Sequence, residues 1–423
     1  MFNDINALVE FIQNQRRNEK KESLSYMRKL CMIFGNPENK SNFIHIGGTN
    51  GKGSTISFLK HILLEAGYKV GSFTSPYIIK FNERITLNDK YISDEDLLKY
   101  GNYILSRYED LEKHNMRQPG FFEFLTLLMF LYFADQNVDL VICEVGIGGK
   151  LDSTNVITPL ISAVTNVSYD HIQMLGDTLS QIWDNKLGII KNNIPFITFK
   201  NSEFNDKIIN KAEEENSPLL LIEEETIKDI EVKLEYTKFT YQDFENVNLQ
   251  LLGKHQTLNA VLAIEIARNI KGHPVSHKSI YEGLQKANLP GRLEIVNNNP
   301  LIILDGAHNI GGIGKLANFI LNLKNNYIRL VFAVSSNKEK DKMISFLENY
   351  VDEVIFTQFH NQRSVDSEYL FSLSKHENKK IINDLNKIIN LSLENKETIT
   401  IFCGSLYLIS EIRNLIVDKK FPH

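Results

Sequence analysis

Cysteine is scarce in this chain. There are three in 423 residues, Cys31, Cys143 and Cys403, and they lie far apart. Such spacing offers neither a disulfide framework nor a thiolate metal cage. Cys143 and Cys403 fall inside apolar runs, so buried thiols in a reducing compartment are expected. Long hydrophobic runs are missing too. None approaches the roughly 20 residues that span a bilayer, and the N-terminal MFNDINALVEFIQNQRRNEKK turns polar and basic too early for a secretory signal. Its basic run, Arg16 to Lys21, reads as a solvated helix face or loop. No sign of charge dominates: the formal net charge is -5. That gives no reason to expect a nucleic-acid or anionic-membrane partner, so any phosphate binding should be local. No repeat or low-complexity tract appears. The reading is a cytoplasmic protein with no nucleic-acid or membrane partner.

What is present is enough apolar content, 43%, for sizeable cores in a chain too long for one ordinary domain. A strand–helix alternation runs through both halves and predicts an α/β protein. The cluster NLPGRLEIVNNNP is the best boundary, because Pro290-Gly291 halts regular structure there. Two domains are therefore expected. Residues 1–290 would hold a P-loop NTPase-like, mostly parallel sheet, and residues 291–423 a smaller Rossmann-like α/β sheet. Residues 200 to 250, charged and rich in β formers, read as an antiparallel excursion.

The chain is organised around GGTNGKGST, Gly47 to Thr55. An apolar run, Phe43 to Ile46, precedes it. A helical pattern with Ile56, Leu59, Leu63 and Ala66 on one face follows. Strand, glycine loop and helix N-terminus together make a phosphate cradle. Glycines let the backbone approach, amide N–H groups and the helix dipole face the anion, and Lys52 adds a point charge. The match to the general P-loop pattern is imperfect, since Ile46 stands at the first glycine position and Gly53 follows the lysine. A hydroxyl, Ser54 or Thr55, still lies close enough to serve a magnesium ion.

Three further strand ends carry polar residues. Ser75 follows the strand at 69–73, Glu144 closes the buried strand that starts at Asp139, and His171 follows the strand at 160–165. Ligands gather at the C-terminal edge of open α/β sheets, so a shared cation site is expected there. Each residue also has a plainer reading: a turn serine, a carboxylate at a loop start, a capping histidine. Lys186, in a predicted helix over 179–191, is by pattern alone a surface lysine. The run Phe121 to Ala134 is apolar nearly all round and suits a helix buried against the sheet.

These motifs, taken in order, resemble the folylpolyglutamate synthase and dihydrofolate synthase family of the Mur ligase superfamily. The residues that carry the resemblance are GTNGKGS (Gly48 to Ser54), TSPY with FNERI (Thr74 to Ile85), FEF (Phe122 to Phe124) and EVGIGGKLDSTN (Glu144 to Asn155). They continue with DH and LGDT (Asp170 to Thr178), KLGIIK (Lys186 to Lys191), HQTLNA (His255 to Ala260), LPGRLE (Leu289 to Glu294), DGAHN (Asp305 to Asn309) and GSLYL (Gly404 to Leu408). Almost the whole chain is covered. Lys150 departs from the family's usual arginine.

The resemblance implies an ATP-dependent ligase that adds L-glutamate to a folate through an acyl phosphate. Dihydropteroate is the alternative acceptor, alone or alongside. A cell-wall Mur ligase and a non-catalytic nucleotide-binding module are the more distant readings. The implied cofactors are ATP and Mg2+, two ions, with K+ as a further candidate; the implied state is a monomer. Gly51, Lys52, Gly53, Ser54, Asn259, Arg292, Asp305 and His308 would contact ATP. Ser75, Glu144 and His171 would hold metal. Gly120, Phe121, Phe122, Glu123, Leu151, Asp152 and Ser153 would line the acceptor pocket. Lys186, His171 and Lys52 would be catalytic, with Lys186 carbamylated into an anion.

Overall fold

A computed structural model describes residues 1–16, 23–323 and 326–418. The basic positions Arg17 to Lys21 lie outside the described residues. The chain divides into two compact units. The first comprises Met1–Asp229, Phe239–Asn248 and Leu258–Ala287; the second comprises Ile230–Lys238, Leu249–Thr257 and Asn288–His423.

The first unit is built on an eight-stranded sheet. Its strands are β1 (Phe43–Gly47), β2 (Val70–Phe73), β3 (Ile85–Leu87), β4 (Lys90–Tyr91), β5 (Leu140–Glu144), β6 (Ile161–Val164), β7 (Phe196–Phe199) and β8 (Leu219–Ile222). The order is β4-β3-β2-β5-β1-β6-β7-β8. Strands β2, β5, β1, β6, β7 and β8 run parallel, and β3 and β4 add an antiparallel edge. Central strands buried on both faces should be apolar throughout, and β5, LVICE, is buried at every position.

The Phe121–Gln136 helix packs on one face of this sheet; its buried side includes Phe124, Phe130 and Phe133. Gly71 in β2 makes that contact possible, because a Cβ there would lie 2.5 Å from the Phe133 ring. On the order of 20–30 cal/mol per Å2 of apolar area buried, a core of this kind supplies the main stabilisation. All three cysteines are free and buried.

The stretch expected to be an antiparallel excursion is only partly one. Asn205–Glu214 is helical, because Ile208 and Ala212 fall on one buried face, and the short apolar run of β8 joins the main sheet in parallel. The meander is confined to β9 (Ile227–Val232), β10 (Thr237–Tyr241) and β11 (Phe244–Leu249).

The second unit holds β12 (Glu294–Asn298), β13 (Leu301–Leu304), β14 (Tyr327–Phe332), β15 (Glu353–Phe356), β16 (Lys379–Ile381) and β17 (Thr398–Cys403). Their order is β12-β13-β17-β14-β15-β16, parallel except for β12. The polar cluster read as unstructured thus contains an edge strand, with a register shift between Ile295 and Asn297. An edge strand needs one partner only and tolerates polar residues, so its sequence signal is weak. Arg329 and Glu353 meet inside this sheet, Nε to Oε2 at 2.6 Å, both buried. No helix among the described residues is long and apolar enough to cross a membrane.

Candidate active site

Strand register sets the site. Ile46 of β1 sits beside Glu144 of β5, Gly47 beside Val164 of β6, and Phe73 of β2 beside Cys143. The C-terminal ends of four adjacent strands therefore open together. The order changes direction around β1, the point at which doubly wound sheets leave a crevice for ligands.

The glycine loop leaves β1 and enters the Lys52–Glu65 helix, whose N-cap is Gly51 at φ 87°. That conformation favours glycine, and space demands it as well: a Cβ on Gly51 would lie 2.3 Å from Asn259 Oδ1. The loop is latched to the segment after β6. Asn166 donates to Asn50 O at 2.7 Å, Thr165 donates to the same carbonyl at 2.6 Å, and Thr49 N donates to Asn166 O at 2.8 Å. Lys52 folds back over the loop, donating to Gly48 O at 3.1 Å and Thr49 O at 3.3 Å, with Glu144 Oε1 at 3.7 Å. Ser54 is buried behind it.

Glu144 is buried, and its Oε2 accepts the Ser75 backbone N–H at 2.8 Å. Ser75 and Glu144, named from separate strand ends, are thus in contact. His171 stands at φ 49°, an uncommon setting for a residue with a Cβ. Its backbone N–H donates to Asp170 Oδ1 at 2.9 Å, and its ring nitrogen Nε2 lies 3.9 Å from the same oxygen.

Lys186 is not at the surface. Only 3% of it is exposed. Desolvation, first, and the Lys52 charge, second, press its pKa down to about 7, against a weaker pull from Asp170. Its helix, Leu179–Leu187, stops earlier than the periodicity predicts, with Gly188 as its C-cap, and a Cβ on Gly188 would lie 2.5 Å from the Lys150 Cα. Gly149 packs in turn on the Asn185 and Lys186 carbonyls. The second glycine-rich loop is therefore moulded on the helix end that carries Lys186.

Beyond that loop, Asp152 is buried and receives Ile147 N–H at 3.0 Å, Thr154 N–H at 3.1 Å and the Thr154 hydroxyl at 2.6 Å. Phe122 comes alongside: a Cβ on Gly146 would lie 2.5 Å from the Phe122 ring and 3.0 Å from Asp152 Oδ2. Ser153 is fully buried, and Leu151 is half-buried. Phe121 stacks against the buried Arg84 guanidinium, its ring 5.4 Å away, and Tyr77 and Phe81 pack on the same group at 5.1 and 5.6 Å. Arg84 was not singled out from sequence; an arginine in FNERI reads as surface charge until three aromatic rings are seen around it. Glu123 caps its own helix, accepting Gly120 N–H at 2.8 Å and pairing with Arg117 at 2.7 and 3.0 Å.

In the second unit, Asp305 follows β13 and accepts Leu293 N–H and Ala307 N–H, each at 2.9 Å. Burial raises its pKa, and Arg292 works against that. A Cβ on Gly306 would lie 2.6 Å from Arg292 Nη1. His308 Nδ1 donates to Gly306 O at 2.7 Å. Arg292, Asp305 and His308 therefore form one cluster, joined by His255. Desolvation, with Lys315 and Arg292 nearby, holds His255 neutral.

A magnesium site can be judged from its donors. Mg2+ takes one or two carboxylates, substrate phosphate oxygens and several waters. A buried carboxylate beside a serine, at the mouth of a phosphate-type loop, fits that requirement. The His171 imidazole is a softer donor and fits it less well. Among the described residues, no group of three or more His, Cys, Asp or Glu side chains is arranged to hold a metal.

The loop and the two units define a Mur-type ligase. The Mur ligase middle domain matches residues 109–267, and the Mur ligase glutamate ligase domain matches residues 291–406. The dihydrofolate synthase/folylpolyglutamate synthase of Bacillus subtilis is 37% identical over 98% of this chain and 99% of its own length. Among solved structures, an FPGS–AMPPCP–folate complex superposes with TM-score 0.85 at 29% identity, covering 98% of this chain and 100% of that one. Escherichia coli FolC in complex with DHPP and ADP does so with TM-score 0.86 at 26% identity, covering 98% of each. The chain belongs to the folylpolyglutamate synthase and dihydrofolate synthase family, and it is a ligase.

Proposed function

We propose that this enzyme uses MgATP to join L-glutamate to a folate-type carboxylate, acting as a cytoplasmic monomer. The carrying observation is the buried amine of Lys186, set among Lys52, Asp170 and the loop that leads from Glu144 to Asp152. A nucleotide binder without chemistry has no use for a desolvated lysine there.

In this reading the loop amides, Gly51, Lys52, Gly53 and Ser54 cradle the triphosphate. Lys52 moves from its loop carbonyls onto phosphate oxygens, a charge-assisted contact stronger than the one it leaves. Asn259, Arg292, Asp305 and His308 are assigned to the nucleotide. Ser75 and Glu144 would hold one magnesium and His171 a second; bound there, the ions would screen the charge of the triphosphate. K+ is a further candidate, without a residue assigned to it.

Phe122, Leu151, Asp152 and Ser153 are assigned to the acceptor, with Gly120, Phe121 and Glu123 shaping the helix start beside it. The acceptor carboxylate attacks the γ-phosphate and ADP leaves, giving an acyl phosphate; the glutamate amine then displaces inorganic phosphate and loses a proton. A neutral Lys186 amine can add CO2 and lose a proton to become a carbamate anion; a protonated amine there would repel magnesium.

The test is phosphate release from ATP with each substrate omitted in turn. Release should require both glutamate and a folate-type acceptor; equal release without them ends the proposal. Dihydropteroate and tetrahydrofolate, compared as acceptors, separate the two activities of the family.

A further inference from the structure

Strand β1 carries one polar side chain among apolar ones. His45 is fully buried, with Phe43, Ile44 and Ile46 as its strand neighbours. Its Nε2 lies 2.9 Å from Thr154 Oγ1, and that hydroxyl lies 2.6 Å from Asp152 Oδ1. A hydroxyl has one proton and two lone pairs. A carboxylate can only accept, so the Thr154 proton goes to Asp152. Thr154 then accepts from His45, which must carry its proton on Nε2.

The direction of this chain is fixed: imidazole N–H to hydroxyl, hydroxyl to carboxylate. Burial and the Lys191 charge keep the imidazole neutral, its pKa down to about 3. The other ring nitrogen, Nδ1, is buried without a hydrogen-bond partner. An orphaned buried acceptor costs about 1–3 kcal/mol. An apolar residue would suit the middle of this strand better on stability alone.

We propose that His45 and Thr154 are positioning residues that fix the direction in which Asp152 presents its carboxylate to the acceptor. The inference rests on the assignment of Asp152 to the acceptor. Oδ1 is occupied by the Thr154 hydroxyl and amide, so the carboxylate cannot rotate. Oδ2 holds a single backbone N–H, from Ile147, and faces Gly146 and Phe122. Its remaining lone pair is the one left for an N–H of a flat ring.

The experiment measures kcat and KM for acceptor and for ATP in the full chain. Thr154→Val should raise acceptor KM about tenfold, the effect of losing one charge-assisted hydrogen bond, while kcat and ATP KM stay within about twofold. Thr154→Ser should restore the wild-type value. His45→Leu should act in the same direction, and the double variant should be little worse than Thr154→Val, since both break one chain. If Thr154→Val fails to fold, His45→Leu and Thr154→Ser carry the test. Equal losses in ATP and acceptor KM, or a Thr154→Ser variant as impaired as Thr154→Val, would overturn the proposal. Asp152→Asn separates the two layers: unchanged acceptor KM removes the assignment of Asp152, whereas a raised KM alongside a silent Thr154→Val removes the chain.

Discussion

Lys186→Met replaces a buried amine by an apolar side chain of similar length. The amine releases its proton near pH 7 when folded and near 10.5 when unfolded. Between those values the unfolded chain binds more protons, so the wild type gains stability as pH rises. Below the folded pKa the deficit is complete and flat; above the unfolded value it is gone. One pKa unit corresponds to about 1.4 kcal/mol. Ionisation of Lys186 should therefore cost the wild type roughly 4 kcal/mol at neutral pH, a cost Lys186→Met does not carry, and roughly 2 kcal/mol of it should vanish by about pH 9.

Thermal unfolding of both proteins in CO2-free buffer, from about pH 6.5 to about pH 9.5, reads this as a gap in Tm. It should close by several degrees, and titrating groups remote from Lys186 cancel in the difference, whereas Lys52 and Asp170, which couple to it, contribute a smaller term. Added bicarbonate should shift the wild type alone, and turnover should be absent in Lys186→Met at every pH. A gap that does not change with pH would refute the reasoning, because it would mean the amine is solvated or paired in the folded state.

Gly51→Ala should raise ATP KM more than acceptor KM: the loop would have to leave φ 87° or push Asn259 aside, and a left-handed L-residue costs about 1–2 kcal/mol. An unchanged ATP KM would detach Gly51 from the nucleotide. Glu353→Ala strands the buried Arg329 and should cost roughly 3–5 kcal/mol in denaturant unfolding, with little change in kcat at low temperature. A loss under about 1 kcal/mol would show that water reaches Arg329. His171→Ala should abolish turnover while ATP Kd, read by equilibrium binding, changes less than about tenfold; an active variant would take His171 out of the chemistry.

The parts of this site legible in the sequence are those written by local chain geometry. A glycine loop between an apolar strand and a helix can be recognised because each glycine answers a local demand. Strand ends can be read from apolar runs, and they placed Ser75, Glu144 and His171 at one sheet edge. Burial by distant segments is not written locally. Lys186 lies on a helix with polar neighbours, and its burial, near Lys52 and Asp170, comes from the folded surroundings and not from its own helix. Arg84 needs three rings from two separate segments. His45 looks like one polar residue in a strand until Thr154, over a hundred positions later, closes on it. Edge strand β12 escaped notice for the opposite reason: with a single partner, its polar residues give no periodic signal.

The stretch from Glu144 to Asn155 has one further consequence. It is a dozen residues long, begins at the carboxylate assigned to magnesium, and ends at the groups assigned to the acceptor. Between these it leans on the helix end that carries Lys186. In those assignments one short ribbon would set three reacting parties at once. Selection for a new acceptor cannot edit it freely, because any change in its path moves the metal end too. Variation in acceptor preference within such a scaffold should therefore collect outside this ribbon.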